Sequence, residues 1–240
     1  MSYDWVANLA LFGTTIALTL VGRFIAFKIP AIREMRELNN EVERERMSVD
    51  RFRAAININN KSALATNAVF FFAILPFSVD LEPRPIWRHV VDIVVVLMVF
   101  DFFYYMTHRF IFHGNLLRKV HSLHHQSREP TYIDALYVHP LETSIGLILF
   151  LGSIPLVGAL TGGPMNAYSM AVAMLLFTQL NTINHTFVNL PYFPFKTLDN
   201  ITSIHAAHHV DMNQGNYATL TMIYDRLFGT LEAPVSRDTP

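Results

Sequence analysis

The chain of 240 residues contains no cysteine. That excludes disulfides, iron–sulfur clusters, thiolate-ligated haem and every zinc site built on cysteine. Charge is scarce as well. Asp, Glu, Lys and Arg make up 15% of the residues against 52% hydrophobic ones, too apolar a balance for an ordinary soluble domain. A formal net charge of −1 leaves no footprint for nucleic acid. Residues 1–22 hold no Lys or Arg, so the N-terminus lacks the basic region of a cleaved signal peptide and reads as a retained span. Neither the H-E-x-x-H word of zinc hydrolases nor the G-x-G-x-x-G word of dinucleotide sites occurs.

What is present is apolar sequence in long runs. Segments 6–27, 62–79, 90–105, 141–160 and 165–180 approach the ~20 residues that cross a bilayer. The last two are joined by "TGGP", a turn signal, and could form a re-entrant hairpin. Basic residues orient the set. Residues 28–61 hold eight Lys and Arg, the 80–89 loop two, residues 106–140 four, the 161–166 turn none, and the segment from 182 onward three. Crossing at each run puts the N-terminus outside and the C-terminus inside. The charged stretch "IREMRELNNEVERERMSVDRF" carries a narrow apolar stripe (Met35, Leu38, Val42, Val49, Phe52), which predicts a helix packed on the bilayer surface or on the chain's own catalytic part. The predicted fold is all-α: a polytopic integral membrane protein with four to five transmembrane or re-entrant helices and a cytoplasmic, histidine-rich helical domain. Residues 1–240 are taken as one domain.

Histidine is the residue in excess. "HSLHH" (His121, His124, His125) and "HAAHH" (His205, His208, His209) repeat the word H-x-x-H-H, although 11 histidines in 240 residues predict only ~0.02 chance copies of it by counting matches to a template. On a helix, positions i, i+3 and i+4 share a face, so each triplet can point one way. His108, His113 and His185 bring the candidate metal ligands to nine. The five-residue spacing of His108 and His113 turns an α-helix by ~140°, so either the rings diverge, and could flank two different metals, or the helix ends before Gly114. Nine imidazoles exceed the needs of one structural zinc and suit two metals with positions left open, the setting of dioxygen chemistry on nitrogen-ligated iron. On the basic-residue orientation all nine face the cytoplasm, and only His89 lies outside.

Asp101 lies two helical turns before His108 and is a candidate to orient that ring, because ligating imidazoles commonly donate their second N–H to a carboxylate. His139, in "VHPLE", is a candidate ligand or ligand support, and equally a helix-start residue, with Pro140 and Glu142 suited to the first turn. Asp225 reads as a turn or capping residue.

The order H-x4-H, H-x2-H-H, H-x2-H-H, with "DFFYYMTHRFIFH", "VHSLHH", "YVHPLETSIG" and "HAAHHVDMNQGNYATLTMIYDRLFGT", resembles the fatty acid hydroxylase/sterol desaturase superfamily over about residues 90–232. The C-terminal words look closest to the C4-methylsterol oxidase branch. The resemblance implies two iron ions held by the boxed histidines, dioxygen as co-substrate, and hydroxylation of an unactivated C–H bond of a membrane lipid such as a sterol or fatty acyl chain, or its desaturation. Some relatives carry a further H-x3-H pair between the last two boxes. Here Asn181 takes its first place and His185 its second, so Asn181, His139 or water would complete the set. Zinc, which binds nitrogen ligands more tightly than ferrous iron, can take iron's place in purified protein. With no cysteine, haem or flavin signature, the two electrons of each turnover must come from a partner such as a cytochrome b5, a ferredoxin or a reductase. The rivals from other classes are a metal transporter, which would need more polar ligands along its spans, and a zinc-stabilised membrane scaffold.

Overall fold

The computed structural model describes residues 2–235. Long apolar runs become long helices. Among the described residues, three helices are long and apolar enough to cross a membrane: α1 (Trp5–Ala26), α4 (Ile86–Thr107, prolonged by a π-turn over His108–Phe112) and α6 (Pro140–Thr161). Each spans at least 22 residues, about 33 Å of helix against a hydrocarbon core of ~30 Å. By length and apolarity three helices qualify, against the four to five transmembrane or re-entrant helices expected. The run at 62–79 fails because it is the second half of α3 (Asp50–Val69), whose first half is polar; a π-turn at Phe70–Ile74 and a 3-10 turn at Leu75–Phe77 end it. The run at 165–180 becomes α7 (Ala167–Asn184), where Gln179, Asn181 and Asn184 dilute the apolar residues.

These helices lie side by side, with α1, α4 and α7 running one way and α3 and α6 the other. α3 packs on α6, α6 on α4, α4 on α7, and α7 on α1. The core between them holds Leu11, Val96, Phe100, Phe150, Ile154 and Met170, with Phe150 stacked on Phe177 at 4.1 Å between centroids. At one end, β1 (Val79–Asp80) pairs in parallel with β2 (Met165–Asn166), a two-residue exception to the all-α expectation. Beside it Arg84 bridges Asp80 (2.9 Å) and Asp92 (3.1 Å), and Arg88 adds a second cation to Asp92 (2.8 Å). Asp92 within an apolar run is thus neutralised by pairing. His89 belongs to this end, with Nδ1 2.6 Å from Ser169 Oγ.

The histidines gather at the opposite end, with the C-termini of α4 and α7 and the N-terminus of α6. The charged stretch forms α2 (Pro30–Ser48) and docks there on the chain itself. Ile32, Met35 and Leu38 pack on Val188, Leu190 and Phe195, and Phe52 and Ile56 pack on Ile133 and Tyr137. Asn39 clamps both polar groups of Phe187, donating to its carbonyl (2.8 Å) and accepting from its N–H (2.9 Å). Arg46 pairs with the buried Asp134. The basic segment and the histidines therefore share one end of the bundle, as the residue count predicts.

Candidate metal centre

Four pieces of chain carry the nine histidines. The first piece is the π-turn at the end of α4. Its backbone bond runs from His113 N–H to the His108 carbonyl (2.9 Å), an i→i+5 step in place of i→i+4. That extra residue brings His113 over His108, and the ring centroids lie 4.9 Å apart. The alternative of diverging rings is corrected, and that of a helix ending before Gly114 holds: an α-helical turn angle does not apply to a π-turn, and such turns often occur at functional sites. The second piece is α5 (Arg118–His121) followed by a 3-10 turn, His124–Gln126. The third is His185, which caps α7. The fourth is α8 (Phe195–Val210), which carries His205, His208 and His209.

The rings sort into two groups. His108, His113, His121, His125 and His208 form one, and His124, His185, His205 and His209 the other; within each group the nitrogen atoms lie within 4.8 Å of one another. Each H-x-x-H-H triplet is therefore shared between the groups, rather than pointing one way. All nine rings are buried. Among those beyond the spans, burial pushes the His113 imidazole down to about 4 and that of His208 to about 3, and holds His121, His124, His205 and His209 far below the ordinary value, with neighbouring imidazoles adding to the effect. These rings are neutral at pH 7, the form in which imidazole binds metals.

Hydrogen bonds fix which nitrogen is available. The Nδ1 of His108 donates to the Tyr217 carbonyl (2.6 Å), that of His113 to Met212 (2.6 Å), that of His208 to Gly215 (2.7 Å), and that of His121 to Glu142 Oε1 (2.9 Å). A neutral imidazole carries one proton, so each Nε2 presents a lone pair. Yet Nε2 of His108 lies 3.0 Å from that of His121 and 3.1 Å from that of His208, which is 3.1 Å from that of His113. Lone pairs do not converge at such distances without a cation between them. The second group repeats the pattern. His185 Nδ1 donates to the Asn181 carbonyl (2.9 Å) and His209 Nδ1 to that of Ser127 (3.1 Å), while Nε2 of His185 lies 3.1 Å from those of both His124 and His205. The donor sets, five and four imidazole nitrogens without thiolate, fit two metal ions of the iron, zinc and copper type.

The remaining candidates stand outside both groups. Asp101 does not touch His108. Its oxygens accept from the N–H groups of Thr219 (3.2 Å), Leu220 (2.9 Å) and Thr221 (3.2 Å) and from the Thr221 hydroxyl (2.8 Å). It pins the 217–221 segment, whose Tyr217 carbonyl holds the His108 ring. Asp225 accepts from the Tyr217 and Ala218 N–H groups, each at 2.8 Å. Three carbonyls of the segment after α8 thus orient three rings. Gly215 is required there, because a Cβ would fall 1.9 Å from the Thr230 carbonyl oxygen. His139 caps α6, its Nδ1 accepting from Leu141 N–H (3.1 Å). Asn181 receives the Thr219 hydroxyl on Oδ1 (3.1 Å). Glu142 is the partner that sequence reasoning assigned only to the helix dipole. An acid in the first turn of an apolar span carries the same signal that singled out Asp101.

Both groups border one cavity of about 270 Å³ between α3, α4, α6 and α7, reached by His108 from the first group and by His124, His185 and His205 from the second. Phe100, Tyr104, Leu147 and Phe177 supply its apolar walls.

The model of the family described as fatty acid hydroxylase matches residues 93–230, more than half the chain. Among curated proteins, the very-long-chain aldehyde decarbonylase GL1-11 of Oryza sativa subsp. indica is 33% identical over 153 residues, 62% of this chain and 55% of that protein. Methylsterol monooxygenase 1 of Rattus norvegicus is 28% identical over 172 residues, 70% and 56% of the two chains. Protein CER1-like 2 of Arabidopsis thaliana is 32% identical over 158 residues, 62% and 25%. The chain thus spans about half or less of the length of these relatives, and they do not single out the methylsterol branch. No solved structure matches it. With the family's match laid over both histidine groups, the chain belongs to the fatty acid hydroxylase family.

Proposed function

We propose that this protein is a membrane di-iron monooxygenase that hydroxylates an unactivated C–H bond of a lipid such as a sterol or fatty acyl chain. The observation that carries this reading is the convergence of two imidazole groups on one largely apolar cavity. His108, His113, His121, His125 and His208 would hold one iron, and His124, His185, His205 and His209 the other. Bound iron supplies dioxygen activation, the chemistry that no side chain offers. The residues of the chain do the rest. Nδ1 bonds to carbonyls and to Glu142 keep Nε2 of His108, His113, His121, His185, His208 and His209 aimed inward. Phe100, Tyr104, Leu147 and Phe177 keep water from the reacting carbon. Desaturation on the same site is the alternative outcome, since both begin with loss of hydrogen from the lipid. The excess of Lys and Arg on the histidine end supports a cytoplasmic-facing site, and the lack of any redox group in the sequence supports a protein electron donor: a cytochrome b5, a ferredoxin or a reductase.

Lipid profiling by mass spectrometry of a host with and without the protein tests the reading. A lipid gaining one oxygen, absent with His124→Ala or His208→Ala, supports hydroxylation, and loss of two hydrogens points to desaturation. A profile unchanged by the active chain, with zinc as its only metal and no dioxygen consumed when an electron donor is supplied, refutes both and favours a zinc-stabilised scaffold.

A further inference from the structure

Two buried acids, Asp101 and Asp225, serve one short stretch of irregular backbone. The six consecutive N–H groups from Asn216 to Thr221 all have acceptors, and the two carboxylates supply five of them. Asp225 takes those of Tyr217 and Ala218, and Asp101 those of Thr219, Leu220 and Thr221. The Asn216 N–H reaches the Thr230 carbonyl (2.9 Å). A loop in water can leave such donors to solvent. In hydrocarbon there is no solvent to take them, and irregular backbone is tolerated only where protein groups pair it.

The continuation of this stretch lies at the depth of a membrane span. It forms a short helix, α9 (Ile223–Leu227). The Tyr224 hydroxyl donates to the Met98 carbonyl (2.9 Å), and the Phe228 ring stacks on that of Tyr105 at 5.2 Å between centroids. Residues 219–228 therefore run beside α4 between Met98 and Tyr105. Two rulers give the depth of that part of α4. Counted from Asp92, where Arg84 and Arg88 mark the far end, a core of ~30 Å takes ~20 helical residues and ends near Phe112. On α6, Gly146 faces the Tyr104 ring, and it lies ~9 Å inside Pro140, where that span begins. By both measures Met98 to Tyr105 lie inside the hydrocarbon.

We propose that residues 219–228 are a re-entrant element of the membrane, with Ile223, Leu227 and Phe228 against the acyl chains of the leaflet on the histidine side. All three side chains are exposed, Leu227 by 70%, and exposed Phe103 belongs to the apolar span beside them. Arg226, exposed on the same short helix, has a stem long enough to carry its charge toward the headgroups. Asp101 and Asp225 then do for this segment what a regular helix does for itself: they pair its N–H groups away from water. The bilayer thus holds against α4 the segment whose Tyr217 carbonyl orients His108. This seating is independent of the reaction that the metals run.

The absence of native cysteine allows single cysteines to report position. Ile223→Cys and Leu227→Cys are labelled with a nitroxide, alongside Ile148→Cys on span α6 and Glu41→Cys on α2, both exposed positions. The protein is loaded with zinc, which is diamagnetic, and placed in phosphatidylcholine nanodiscs. Power saturation compares collisions with oxygen, which concentrates in hydrocarbon, and with a water-soluble nickel chelate. The oxygen-to-nickel ratio should exceed one at Ile223 and Leu227, as at Ile148, and fall below one at Glu41. A ratio below one at either α9 position, in protein that retains its metals, would put α9 in water and overturn the proposal. Exclusion of both probes would overturn it too, because protein rather than lipid would then cover this face. Leu227→Trp, combined with Trp5→Phe and Trp87→Phe, gives a reading without a label. Brominated acyl chains should quench its fluorescence and aqueous iodide should not; the reverse pattern would count against the seating as decisively as a low ratio.

Discussion

Replacing Asp101 should cost the protein one metal and leave the other. The side chain is fully buried and accepts four hydrogen bonds, three of them from consecutive backbone N–H groups. Hydrogen bonds to a charged group are worth about 1.5–3 kcal/mol each, and a buried donor left without an acceptor costs about 1–3 kcal/mol. Asp101→Ala orphans all four donors, a loss of about 4–6 kcal/mol that approaches the whole stability of a typical domain. Asp101→Asn is the more informative variant. Its amide oxygen can keep Thr219 and Leu220, while its NH₂ faces the two donors of Thr221, for a cost of about 2–3 kcal/mol. At about 2–4 °C per kcal/mol for a chain of this size, the melting temperature should fall by about 4–12 °C. Movement of 219–221 then shifts the Tyr217 carbonyl that orients His108. The rings of the second group lean on Asn181 and Ser127 instead. Metal analysis by plasma mass spectrometry should read about one iron per chain in Asp101→Asn against about two in the wild type. Two irons retained with a melting temperature within about 1 °C of wild type would refute the reasoning.

Other substitutions separate the parts of the site. His185→Ala should lower iron content and reduce activity at least tenfold, roughly 1.4 kcal/mol in transition-state terms, whereas His89→Ala, at the β1–β2 end, should leave both near wild type; equal mild effects would refute the assignment of His185. Glu142→Gln keeps an acceptor for His121 Nδ1 but removes the charge, and should weaken metal binding about 10–100-fold, read by competition with a chelator; unchanged affinity would show that the ring needs no carboxylate. Stripping the metals should lower the melting temperature, because lone pairs about 3 Å apart then face one another, and ferrous iron should restore it. A metal-free protein as stable as the loaded one would contradict the lone-pair argument.

The histidine words and the sidedness of the bundle were legible in the sequence because each is a local signal. Ligand type is written in residue identity, and the end of the bundle that the basic segment shares with the histidines in where Lys and Arg fall. What was not legible depended on backbone geometry. The π-turn at His108–Phe112 leaves no mark on hydropathy, so an α-helical angle sent His108 and His113 apart. Asp101 was flagged as an acid in an apolar run, but its partner lies 118 to 120 residues away in sequence and its role passes through a backbone carbonyl. Such carbonyls have no residue identity to read. Met212, Gly215 and Tyr217 orient three imidazoles with atoms that every residue possesses. The span count depends on what shares each helix: the apolar runs at 62–79 and 165–180 lie in helices that also carry polar residues, which lowers their mean hydropathy.

The division of the H-x-x-H-H word on α8 between two groups follows from helical geometry. At ~100° per residue, positions i and i+4 lie ~40° apart, while i+3 lies ~60° to the other side of i. In α8, His205 and His209 are the close pair and serve the second group, and His208, turned away, serves the first. The other word is used in reverse: His121 and His125 serve the first group, and His124 the second. Together the two words give three nitrogens to each group. His108 and His113 raise the first to five, and His185 raises the second to four. The shortfall therefore sits on the side where α7 offers Asn181 one turn before His185. Since each word supplies both groups, neither group can form before α8 has docked against the segment from Arg118 to Gln126. Loss of one imidazole from either word thus removes support from an assembly that the two groups hold in common.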